Sequence, residues 1–61
     1  MDKDAEAIKE KMFSCIENLQ IVFSLLDDPK HNIEISFAMF NSIENLHDAE
    51  ILLYNFLKRR G

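Results

Sequence analysis

The chain has 61 residues, 48% of them apolar and 30% charged, with one Gly, one Pro, one Cys and no Trp. That length allows one domain, residues 1–61, and the balance of net charge -4 against the apolar content excludes disorder. No apolar run approaches the roughly 18 residues of a membrane span, one cysteine cannot close an internal disulfide, and no Cys/His cluster has zinc-finger spacing. A chain below roughly 70–80 residues generally needs a disulfide, a metal or a partner to hold its core. Here the remaining support is a partner, most simply a second copy.

The N-terminal stretch Met1-Asp2-Lys3-Asp4 is polar and lacks the apolar core of a signal peptide. The unpaired Cys15 fits a reducing cytoplasm. Eleven acids against seven bases repel phosphate overall, which argues against nucleic acid as a partner.

The first predicted element is a helix over about 3–26. Ala5, Ile8, Met12, Cys15, Leu19, Val22 and Leu26 recur at alternating intervals of three and four, the a and d stripe of a heptad. Ile16 and Phe23 widen it at e, a breadth suited to a bundle in which each helix meets two neighbours. Asp2, Asp4 and Glu6 lie at the start, where the helix dipole favours acids. The run Ile21–Leu26 is strand-like in composition, but the heptad continues through it and no second strand exists to pair with it.

The one strong break is Asp27-Asp28-Pro29, with Asp28 as N-cap and Pro29 as first helical residue. A second helix over about 29–59 follows, ending near Gly61. Its stripe is Ile35, Met39, Ser42, Leu46, Ala49, Leu53 and Phe56, flanked by Ile43 and Leu57. Ser42 and Ala49 are small enough to let the helices approach closely. Lys58, Arg59 and Arg60 close the helix where the dipole favours cations, and in an antiparallel hairpin they stand beside Asp2, Asp4 and Glu6.

Two such helices form an all-α hairpin. One hairpin cannot cover both stripes and also Phe13, Ile21, Phe23, Leu25, Phe37, Phe40, Ile51 and Tyr54. Two hairpins packed as a homodimeric four-helix bundle solve this. The expected dimer core is Ile8, Met12, Cys15, Leu19, Val22 and Leu26 from the first helix. The second helix adds Ile35, Met39, Leu46, Ala49, Leu53 and Phe56.

Catalytic constellations are not evident. Glu44-x-x-His47 with Glu17 has the residue types of a di-metal carboxylate bundle, but all three fall at outward heptad positions. Cys15 reads as a small apolar core residue, with Lys11 and Glu17 as its nearest charged neighbours in sequence. Glu50 is the one charge beside the second stripe, at e; it reaches to the bundle edge or pairs with a base on a neighbouring helix, the alternative being a charge that selects the partner. The single Gly precludes a phosphate loop. No cofactor or catalytic activity is expected.

At Leu46-His47-Asp48, then Leu53-Tyr54 and Arg60, the second helix resembles that of the Rop family over about 15 residues. Those proteins are plasmid copy-number regulators, dimeric helical hairpins that bind paired RNA loops. The resemblance implies a contact face on the first helix of basic, amide and Phe side chains. Lys3, Lys9, Lys11, Phe13 and Asn18 would form it, with Gln20 nearby and Glu6, Glu10 and Glu17 interspersed. The residues themselves favour a non-enzymatic interaction or regulatory module. It would dimerise and offer helical surface to an as yet unidentified protein partner through Phe37, Phe40, Ile51 and Tyr54.

Overall fold

A computed structural model describes residues 2–60. They form an antiparallel hairpin of two helices, α1 (Lys3–Leu25) and α2 (Asn32–Arg60), joined through a short 3-10 turn at Pro29–His31. The expected hairpin is thus present, with small shifts of boundary. Helix α1 stops at Leu25, not Leu26, and α2 begins after the turn and runs on to Arg60. Gly61, expected as the stop, lies outside the described residues. No described helix is long and apolar enough to cross a membrane.

Asp2 caps α1: its backbone is extended, and its carboxylate accepts from the Asp4 backbone N–H at 2.9 Å. Asp28 repeats the arrangement at the turn, accepting from the Lys30 N–H at 3.0 Å. The Asp28 N–H closes the end of α1 by donating to the Leu25 carbonyl at 3.0 Å. His31 then fixes the corner. Its ring nitrogens lie 3.3 Å from Asp28 Oδ2 and 2.7 Å from Glu34 Oε1.

The helices pack along a different pair of heptad rows from the one the stripe implies. Ile8, Cys15 and Val22, all at d, are the buried residues of α1. In α2 they are Ala38, Ser42 and Ala49, at g and d. Half-buried Lys11, Asn18, Leu25, Asn45 and Leu52 fill the g rows between them. The a rows, expected in the seam with d, stand clear of it: Met12, Leu19, Met39, Leu46 and Leu53 are exposed. The cause is side-chain size. Ala38, Ser42 and Ala49 let the backbones close on one another, while the long a-row side chains would hold them apart.

The hairpin is therefore one layer thick. Its Cα atoms span 47 × 17 × 12 Å with a radius of gyration of 14.2 Å, against about 10.5 Å for a compact chain of this length. Among the described residues no large side chain is fully enclosed.

Candidate functional site

Because the seam uses d and g, the a and e rows of both helices make one continuous open face. Met12, Ile16, Leu19 and Phe23 of α1 lie on it, facing the same way as Met39, Ile43, Leu46 and Leu53 of α2, all exposed. Phe23 is 83% exposed and Leu46 58%. At the end away from the turn, Ile8, Met12, Leu46, Ala49, Glu50 and Leu53 line a shallow groove on this side. Glu50 thus stands level with the Ile8–Met12 stretch of α1. Its carboxylate lies 4.0 Å from the His47 ring, at the edge of the face.

The twelve residues expected in a dimer core divide between the two environments. Ile8, Cys15, Val22 and Ala49 are buried in the hairpin's own seam, and Ile35 and Phe56 are half-buried. Met12, Leu19, Met39, Leu46 and Leu53 are exposed on the open side, and Leu26 is exposed as well. Leu26 lies just beyond α1, in the turn.

The opposite edge of the seam is polar. Asn45 Nδ2 donates to Asn18 Oδ1 at 2.9 Å across the hairpin, and Lys11 meets Asp48 at 3.2 Å. With Ser14, Glu17, Asn41 and Glu44 these residues line a polar groove. The contrast between edges is the useful geometric fact: one side of the layer is closed by a hydrogen bond and an ion pair, the other is left apolar.

A second apolar surface runs along the outside of α2. Ile33, Phe37 and Phe40, spaced four and three, border a shallow hollow with Asn32 and Ser36. Phe37 is 65% exposed and Phe40 58%. Farther along the same stripe, past Glu44 and His47, come Ile51 and Tyr54, also exposed. Sequence reasoning picked Phe37, Phe40, Ile51 and Tyr54 but missed Ile33, whose i, i+4, i+7 spacing with Phe37 and Phe40 was the available signal.

The five residues suggested by the Rop resemblance do not share one face. Lys11 and Asn18 lie at g and are engaged with Asp48 and Asn45 of α2. Lys3, Lys9 and Phe13 project from the other side, and Lys9 sits 3.8 Å from Glu6. At the hairpin's open end Arg59 pairs with Asp4, and the Arg60 guanidinium lies 5.4 Å over the Phe56 ring. The basic cluster thus stands beside the acidic start of α1, as its sequence position suggested.

Glu17, Glu44 and His47, the candidate metal set, are all exposed. Among the described residues no three His, Cys, Asp or Glu side chains come together as metal ligands would. Cys15 is buried and unpaired. No protein-family model, curated protein or solved structure matches the chain.

Proposed function

We propose that this chain is a non-enzymatic interaction module. It dimerises through its open face into a four-helix bundle and receives a protein partner on the outside of α2. The observation that carries the reading is the excess of surface. The hairpin exposes 5106 Å², whereas a folded monomer of 7.2 kDa is expected to expose about 4,100 Å². The excess, about 1,000 Å², is close to the roughly 800 Å² that each partner of a stable interface contributes. A face 47 Å long and 17 Å wide presents about 800 Å² as well. A homodimer covers that face with the same apolar rows from a second copy.

The outer stripe of α2 then remains for a different partner. Ile33, Phe37 and Phe40 offer anchors at the spacing by which helices bind apolar grooves. The regulatory role follows from that division of labour: one surface fixes the assembly, the other recruits.

The test uses two purified baits, the wild-type chain and a Phe37→Ser, Phe40→Ser variant. Both residues are exposed, so the variant should keep its helicity and its mass in solution. The expected result is a protein that crosslinks to the wild type through α2 and is lost with the variant. Identical capture by both baits would rule out the outer stripe as the docking surface.

A further inference from the structure

We infer that the two hairpins of the dimer pack with their turns at the same end, so that α1 of each copy lies against α2 of the other. This rests on the dimer reading above and goes beyond it by assigning the geometry.

Two copies related by a two-fold axis can meet through these open faces in two ways only. With the axis along the helices, both turns lie at one end, and α1 faces the partner's α2. With the axis across the helices, the turns lie at opposite ends, α1 faces the partner's α1, and α2 faces the partner's α2. Helix dipoles do not decide, because facing helices are antiparallel in both. Charge does.

The first discriminator is on the face itself. Lys9 is the basic e residue of α1, Glu50 the acidic e residue of α2, and both are exposed. An axis along the helices leaves every residue at the height it has in its own hairpin. Glu50 shares a groove with Ile8 and Met12, so each copy's Lys9 stands level with the partner's Glu50. The pair forms twice. The e rows then continue seven residues at a time: Ile16 meets the partner's Ile43, and Phe23 meets the small residue, the partner's Ser36. With the axis across the helices, Lys9 is reflected past the helix centre onto the stretch around the partner's Ile16 and Leu19. Glu50 is reflected toward the partner's Ile43. Both charges would face apolar side chains.

The second discriminator is at the ends. Same-end packing sets Asp2, in the e row, near the partner's Arg60, in the a row. Opposite-end packing sets Asp2 near the partner's Asp27 and Asp28 instead. That contact would set acid against acid at the start of α1.

Two measurements test this. Spin labels on Asp27→Cys in a Cys15→Ala background report where the turns are. Same-end packing predicts a label separation below about 25 Å; opposite-end packing places the turns at least the length of α1 apart, about 35 Å. A long distance overturns the inference and leaves the dimer standing. Absence of dipolar coupling at a protein concentration of about 100 μM overturns both.

The second measurement keeps the native cysteine. Lys9→Glu and Glu50→Lys chains are mixed and counted by native mass spectrometry after equilibration in 0.15 M salt, where charges more than about 8 Å apart are screened. Each homodimer then carries two like-charged pairs, and the heterodimer two opposite ones. The expected ratio of heterodimer to homodimer is about tenfold above the statistical value, from two partly exposed pairs. A statistical mixture overturns the inference.

Discussion

Ala49→Leu probes the close approach of the two helices. Ala49 is 4% exposed and faces α1 alongside Ile8 and Met12. The substitution adds three carbons to a buried side chain between the helices, beside the shallow groove it lines with Ile8 and Met12. On an open surface an extra leucine would be neutral or mildly helpful to a helix. In a filled contact it forces side chains off their rotamers or pushes the helices apart, at about 1–3 kcal/mol. At about 4–8 °C per kcal/mol for a domain of this size, a cost near 2 kcal/mol lowers the melting temperature by roughly 8–16 °C. Thermal unfolding followed by far-ultraviolet circular dichroism reads this directly. Protein concentration must be matched, because dimerisation makes the melting temperature depend on it. Asn55→Leu, at an exposed position on the same helix, serves as the control and should move the midpoint by no more than about 3 °C. An unchanged or raised midpoint for Ala49→Leu would mean that the helices do not touch along Ala38, Ser42 and Ala49. The d and g seam would then be wrong.

Asn45→Ala removes the donor to the half-buried Asn18 carbonyl oxygen and should cost about 1 kcal/mol in urea unfolding. The double change Asn18→Leu, Asn45→Leu should recover most of it, since neither partner is left unpaired; no recovery would show that the amide pair is not a unit. Cys15, buried in the seam, should react with an aromatic disulfide reagent only at the rate of unfolding, and rapid modification of the native protein would contradict its placement. In a gel shift at about 50 mM salt, where attraction to phosphate is strongest, a paired stem-loop RNA should not bind, given net charge -4 and the engagement of Lys11 with Asp48. Salt-sensitive binding lost in Lys9→Ala, Lys11→Ala would instead favour the RNA-regulator reading.

The heptad spacing made both helices and their antiparallel pairing legible, and Asp28-Pro29 located the turn to within a few residues. Local chemistry sufficed there, because caps and apolar periodicity act over a single turn. The seam was harder. A stripe with a, d and e apolar is consistent with either flank facing the neighbouring helix, and the sequence reading centred it on a and d. The deciding residue was Ala38, a small side chain at g that was not singled out beside the larger Phe37 and Met39. Once Ala38 joins Ser42 and Ala49, the close approach moves to d and g, and Asn18 and Asn45 become a cross-helix pair. The pairing of Arg59 with Asp4 followed from position alone, since antiparallel helices of similar length bring those ends together. Lys11 with Asp48 did not, because their contact depends on which rows face. Of the surface stripe on α2, the aromatic residues were conspicuous by type, and Ile33 emerged only when its neighbours in space were known.

Sedimentation equilibrium at about 10 μM tests the central claim, that the open apolar face of the hairpin is covered by a second copy, since assemblies of this interface size commonly hold at micromolar concentration or below. The predicted mass is twice the 7.2 kDa of the chain, falling toward the monomer value for Leu46→Lys, which places a charge at the middle of the face. A species of 7.2 kDa that is helical and melts cooperatively, with Met12, Leu19, Leu46 and Leu53 left in water, would contradict it.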